Sequence, residues 1–186
     1  MNVCAIIPAG GQGTRMGGTV PKQFQALKGK PVLHYTLRTL QESDLIDSLV
    51  LVVPEKELVN ARADWLNRPP VVKQVVVGGE KRQDSVFNGY QVLPKNTDIV
   101  LVHDGVRPFL SKEMIQETLE VADKFGAAIT AIPVNDTLKQ VNNSGTVLRT
   151  VEREGLWRVQ TPQAFRFDLL GEAFLKAKAD SFYGTD

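Results

Sequence analysis

Five short runs rich in valine and isoleucine recur along the chain, at Val3–Ile7, Leu49–Val53, Val71–Val77, Ile99–His103 and Ala127–Val134. Runs this short and this rich in Val and Ile fit strands covered on both faces. Helix signals fill the intervals. Pro31–Gln41 opens on proline and spaces Val32, Leu33, Leu37 and Leu40 at helical intervals, Glu55–Leu66 is a second helix, and Asp84–Leu93 a third. Ser111 stands at an N-cap position before Lys112–Phe125, which stops at Gly126. Leu169, Leu170, Ala173, Phe174 and Ala177 form one more apolar helix stripe. Alternation of this kind predicts an α/β fold, a mostly parallel sheet with helices on both faces. The chain of 186 residues can bury one substantial core, so a single domain spanning 1–186 is expected.

One segment breaks the alternation. Asn135–Gln160 is polar, and Asn142-Asn143-Ser144-Gly145 is a turn signal between Leu138–Val141 and Thr146–Val151. A lone two-stranded hairpin is marginal in water, so this one is expected to pack on something, with a second copy of the chain as the candidate. Charge excludes other partners: a net +1 supplies no basic field for nucleic acid or an anionic membrane. No apolar run is long enough to span a bilayer, and the strand-like N-terminus lacks the charged start of a signal peptide. Cys4, the sole cysteine, has no partner for a disulfide within the chain and reads as a buried free thiol. A cytoplasmic protein is the resulting expectation.

In open parallel sheets, ligands bind beyond the C-terminal strand ends, which selects the loops Ala9–Gln23, Gly78–Gln83 and Asp104–Phe109. The first lies within PAGGQGTRMGGTVPKQF (Pro8–Phe24), which holds five glycines, Arg15 and Lys22. It is not a P-loop, because Thr19-Val20 follows Gly18 where Lys-Ser/Thr is required. It is not a dinucleotide fingerprint either, because Met16 stands where the third glycine belongs. Two readings remain: a longer loop that wraps phosphates with backbone N–H groups between two cations, or a flexible surface loop.

The string AGGQGTRM followed by PKQF resembles the nucleotidyltransferase loop of the sugar-nucleotide pyrophosphorylase superfamily. GGEKRQDSV (Gly78–Val86), VHDGVRPF (Val102–Phe109), VNDTLK (Val134–Lys139), EREGLW (Glu152–Trp157) and QTPQAF (Gln160–Phe165) follow in order. Together the blocks resemble the 2-C-methyl-D-erythritol 4-phosphate cytidylyltransferase family over essentially the whole chain. The resemblance implies a Rossmann-like sheet with a protruding β-arm at 135–160 that builds a homodimer. It implies transfer of CMP from CTP to 2-C-methyl-D-erythritol 4-phosphate, giving 4-diphosphocytidyl-2-C-methyl-D-erythritol and pyrophosphate, in non-mevalonate isoprenoid precursor biosynthesis. Mg2+ or another divalent cation is implied as cofactor. The nucleophile is a phosphate monoester whose second pKa is about 6, so it is ionised at neutral pH and needs no general base. Catalysis then rests on aligning two anions and neutralising charge on the α-phosphate.

The same resemblance assigns residues. Arg15, Lys22 and Arg153 are the catalytic cations. Ala9, Gly10, Gly11 and Gly13 belong to the phosphate loop, and Gly79, Glu80 and Ser85, with Gly78, to the loop that reads cytosine. Asp104 faces the alditol hydroxyls or a metal-bound water, so any metal role is indirect. Arg107, Thr137, Arg153 and Thr161 line the alditol-phosphate pocket, Thr137 and Arg153 by reaching across the dimer. Plainer roles stand beside these: Asp104 as a turn cap, Asp84 and Ser85 as helix caps, and Arg153 as part of a solvated charge run, Glu152-Arg153-Glu154. Trp65 and Trp157 are expected to pack, His103 to end a strand and His34 to sit in a helix. Asp104-Gly105-Val106-Arg107 departs mildly from the alanine-rich form of the family. The resemblance also implies a further strand and terminal helix, with a lysine that touches the methylerythritol phosphate, beyond Asp186, so the domain is expected to be C-terminally incomplete. Two rivals remain. A ribitol 5-phosphate cytidylyltransferase shares PKQF and QTPQ-like blocks but lacks a clear match to EREGLW and to Asp136–Lys139. A nucleotide-binding fragment without turnover is the other.

Overall fold

The computed structural model of the chain describes residues 1–11, 21–66 and 72–184. Its central layer is a six-stranded sheet in the order β5-β4-β1-β6-β10-β7. The strands β1 (Val3–Pro8), β4 (Ser48–Val53), β5 (Val72–Val77) and β6 (Ile99–Val102) pair in parallel, as their richness in valine, leucine and isoleucine predicts. A small hairpin of β2 (Ala26–Leu27) and β3 (Lys30–Pro31) precedes the first helix.

Alternate residues of the central strands feed two cores. Val3, Ala5 and Ile7 of β1 join Leu49, Leu51, Ile99 and Leu101 on one face, under α1 (Val32–Glu42), α2 (Leu58–Trp65) and α4 (Lys112–Phe125). Cys4, Ile6, Val50, Val52, Val100 and Val102 point to the other, under α3 (Arg82–Gln91) and α5 (Phe167–Ala179). Each fully buried aliphatic side chain contributes about 1.5–3 kcal/mol, so both faces hold the sheet. α3 lies very close to the sheet: a Cβ on Gly89 would stand 2.6 Å from Ile6 Cγ2. The Ser111 hydroxyl accepts the Met114 N–H at 3.2 Å, and Gly126 closes α4 at φ +93°, as the sequence predicts.

The expected helix bounds shift. Arg82 and Gln83 already belong to α3, and Glu55–Glu57 is a 3₁₀ turn before α2. A larger correction concerns β10 (Trp157–Arg166), which no periodicity revealed. It runs antiparallel between β6 and β7 (Ala127–Pro133), so the end of the polar segment 135–160 is sheet rather than hairpin. Polar residues at Gln160, Thr161 and Gln163 hide the strand, because its register shifts between Val159 and Gln163. β8 (Leu138–Val141) and β9 (Val147–Val151) form their own antiparallel ladder, closed by Asn142 Oδ1, which accepts the N–H groups of Ser144 and Thr146. Trp65 is buried as expected, whereas Trp157 is 59% exposed because it starts β10 where only β7 pairs with it. Among the described residues, no helix is long and apolar enough to cross a membrane.

Candidate active site

Loops from the C-terminal ends of β1, β5 and β6 meet around a cleft of about 560 Å3. Pro8 to Gly11 form one wall, Gly79 to Arg82 with Ser85 a second, and Asp104 with Val106 a third. Lys22 enters from the 3₁₀ turn Lys22–Phe24. The placement of that turn comes from its neighbour. Gln23 is buried, and its amide donates to the carbonyl of Ala9 at 2.5 Å and to that of Gly11 at 3.2 Å. It thereby ties the two ends of the glycine loop together and sets Lys22 at the mouth of the cleft. Gly13 and Arg15 lie outside the described residues.

The second wall is braced by Ser85. Its hydroxyl accepts the Gly79 N–H at 3.1 Å and donates to the Lys81 carbonyl at 3.1 Å. The Asp84 carboxylate accepts the Lys81 N–H at 3.1 Å, so Asp84 does cap α3, while Ser85 is a strut of the loop. A Cβ on Gly79 would fall 2.2 Å from the Cβ of Asp84, and one on Gly78 would fall 2.9 Å from Ser85 Oγ. The tight fold of this loop onto its own helix is therefore enough to demand glycine at 79.

The third wall is a network around Asp104, 23% exposed at its side chain. Its Oδ1 accepts Arg82 Nε at 3.3 Å and its Oδ2 accepts Arg107 Nε at 3.0 Å. The Asp104 N–H donates to Thr161 Oγ1 at 3.2 Å. Gln160 Oε1 accepts from Arg107 at 3.1 Å, and Gln163 Oε1 from Arg82 at 3.4 Å. Gln160 and Thr161 lie within the register shift and Gln163 at its end, and bulges of this kind re-aim side chains near binding sites. The backbone is pinned as well: Gly105 N–H donates to Pro8, and Thr36 Oγ1 donates to the Gly105 carbonyl at 3.1 Å.

His103 is buried behind this wall with Nε2 at 3.1 Å from the Arg107 carbonyl. A carbonyl only accepts, so Nε2 carries the proton. Its Nδ1 is buried with no hydrogen-bond partner among the described residues. Burial pushes the imidazole below its ordinary pKa, against the opposing pull of the Arg107 carbonyl, and keeps it neutral.

Ala9, Gly10, Gly11, Lys22, Gly79, Glu80, Ser85 and Asp104 thus share one cleft, and Arg107 and Thr161 join it through Asp104. Thr137 and Arg153 do not line it: both are exposed on the arm, where Arg153 donates to the Asn135 carbonyl. Sequence reasoning missed Gln23, Arg82, Gln160 and Gln163. Each stands inside a quoted block, but its role depends on a partner far away along the chain.

Residues 3–186 match the family model described as IspD: 2-C-methyl-D-erythritol 4-phosphate cytidylyltransferase. The 2-C-methyl-D-erythritol 4-phosphate cytidylyltransferase of Syntrophus aciditrophicus is 43% identical over 99% of this chain and 80% of its own length. That of Pelotomaculum thermopropionicum is 44% identical over 99% of this chain and 78% of its own length. Among solved structures, 4-diphosphocytidyl-2C-methyl-D-erythritol synthase from Anaerococcus prevotii superposes with a TM-score of 0.82 at 32% identity, covering 100% of this chain and 78% of that one.

Proposed function

The chain belongs to the 2-C-methyl-D-erythritol 4-phosphate cytidylyltransferase family, and from that premise we propose how its cleft divides the work. The reaction is transfer of CMP from CTP to 2-C-methyl-D-erythritol 4-phosphate with release of pyrophosphate, a step of isoprenoid precursor biosynthesis. The observation that carries this reading is the meeting of the glycine loop, Lys22, the Gly79–Ser85 loop and Asp104 around one cleft. CTP lies along that cleft, its triphosphate against Ala9, Gly10 and Gly11 with Lys22, and its base against Gly79, Glu80 and Ser85; Gly13 and Arg15, outside the described residues, are assigned to the triphosphate by the family resemblance alone. The attacking phosphate is already ionised, so these residues work by position and charge.

The alditol phosphate takes the side formed by Arg107 and Thr161. Arg107 gives Nε to Asp104 and one terminal nitrogen to Gln160, and its other terminal nitrogen has no partner among the described residues. Thr161 uses its oxygen as acceptor for Asp104 and keeps its O–H for a phosphate oxygen. Mg2+ belongs to the same proposal. Among the described residues no group of three or more His, Cys, Asp or Glu side chains gathers, and both Asp104 oxygens hold guanidinium groups. Such a donor set would suit an ion held mainly by triphosphate oxygens and water, with Asp104 contributing only through water. When bound, the ion would neutralise part of the triphosphate charge.

A homodimer completes the reading. Thr137 and Arg153 lie outside their own cleft, and Ile129, Leu148, Trp157 and Val159 leave apolar surface exposed on β7, β9 and β10. The arm then carries Arg153 to the partner's alditol phosphate. A cytoplasmic setting suits substrates that are phosphorylated and water-soluble. The test of substrate is pyrophosphate release from CTP, with 2-C-methyl-D-erythritol 4-phosphate and ribitol 5-phosphate supplied in turn. Release is expected with the first alone; equal release with the second would overturn the choice of alditol.

A further inference from the structure

We propose that Arg82 is a positioning residue for the alditol-phosphate side of the site, acting through Asp104; this rests on the placement of that substrate at Arg107. Arg82 is the first residue of α3. A positive charge there opposes the helix dipole, and the acid that the helix end wants is supplied by Asp84, which caps Lys81 instead. The helix does not explain Arg82. Its guanidinium points away, to Asp104 Oδ1 and Gln163 Oε1, and its side chain is 24% exposed. On its other side lies a mostly apolar cavity of about 450 Å3, with Val86, Phe165, Leu170 and Phe174 in its lining. That wall favours the orientation toward Asp104.

The consequence is one of charge. Asp104 divides its two oxygens between two guanidinium groups, so the trio carries a net positive charge toward an incoming phosphate dianion. Without Arg82, the carboxylate is free to pair with Arg107 by both oxygens, the preferred fork geometry, and the pair becomes neutral. Arg107 would then face its substrate with its charge cancelled and its nitrogens occupied. Arg82 therefore keeps Arg107 available.

The test is steady-state kinetics of Arg82→Gln in the full chain, varying each substrate. KM for 2-C-methyl-D-erythritol 4-phosphate should rise roughly tenfold, the scale of one charge-assisted hydrogen bond, while kcat and KM for CTP change little. Arg82→Lys keeps the charge but not the fork, so it should recover part of the loss. Asp104→Asn combined with Arg82→Gln should be no worse than Asp104→Asn alone, because the effect passes through that carboxylate. A rise in the KM of CTP alone would make Arg82 a nucleotide ligand and overturn the proposal, as would additive losses in the double variant. If Arg82→Gln lowers thermal stability and Arg82→Lys, folded normally, has an unchanged KM for the alditol phosphate, the role is structural and the proposal also fails. Arg107→Ala separates the underlying reading: an unchanged KM there would remove Arg107 from the phosphate site, whereas a raised KM there with no effect at Arg82 sinks the present inference alone.

Discussion

A lysine that meets a developing charge and one that only tethers a ground-state phosphate leave different kinetic traces. Lys22 is proposed to be the first kind, so Lys22→Ala should lower kcat by about a hundredfold or more, near 3 kcal/mol of barrier, with a much smaller change in CTP binding. Turnover within a few-fold of the parent, with only CTP affinity reduced, would make Lys22 a binding residue. Gln23 makes a separate prediction through stability. Gln23→Leu keeps the bulk but leaves the Ala9 and Gly11 carbonyls without their donor, which should cost about 1–3 kcal/mol in thermal or urea denaturation. An unchanged transition would show that the tie does not hold the loop. These two neighbours mark what a sequence reveals at this scale. The place of Lys22 at the cleft was legible because its block carries the family resemblance. Gln23 and Arg82 were not, because a polar side chain is given meaning by a partner that only the fold supplies: Ala9 for one, Asp104 for the other.

Elements buried on both sides announced themselves. β1, β4 and β6 bury nearly every residue, so their runs stood out; β5 does so only in part, with Lys73 and Gln74 exposed. β10 did not, because it spends its middle on the site: Gln160, Thr161 and Gln163 hold Arg107, Asp104 and Arg82 instead of filling a core face. Function broke the pattern by which strands are recognised. The contact between α3 and β1 makes a further prediction. Gly89→Ala ordinarily favours a helix, yet here the added methyl would meet Ile6 Cγ2 at 2.6 Å and Val52 Cγ2 at 3.3 Å. Overpacking should win, with a loss of about 1–3 kcal/mol in denaturant unfolding. A more stable variant would mean that α3 moves off the sheet without penalty.

For the whole molecule, the proposed role of the arm sets how many chains make a site. If Arg153 serves the partner, mixing inactive Lys22→Ala chains with inactive Arg153→Ala chains yields heterodimers with one doubly damaged site and one intact site, and activity should return toward half the parental level per heterodimer. No recovery despite demonstrated heterodimers would remove the trans arrangement. The resemblance assigns that arm to a dimer contact, which the mixing experiment tests, while the polar hairpin alone said only that it needed a surface to rest on. The sheet order has a consequence for how the chain is made. β6 receives its second neighbour only when Gln163 reaches Val102, about 60 residues later, and β7 has no partner in the sheet until β10 arrives. At roughly 5–20 residues per second, a ribosome leaves one edge of β6 open for several seconds. An open strand edge is a template for the wrong pairing, so the order of synthesis leaves β6 exposed to mispairing until β10 arrives to close it.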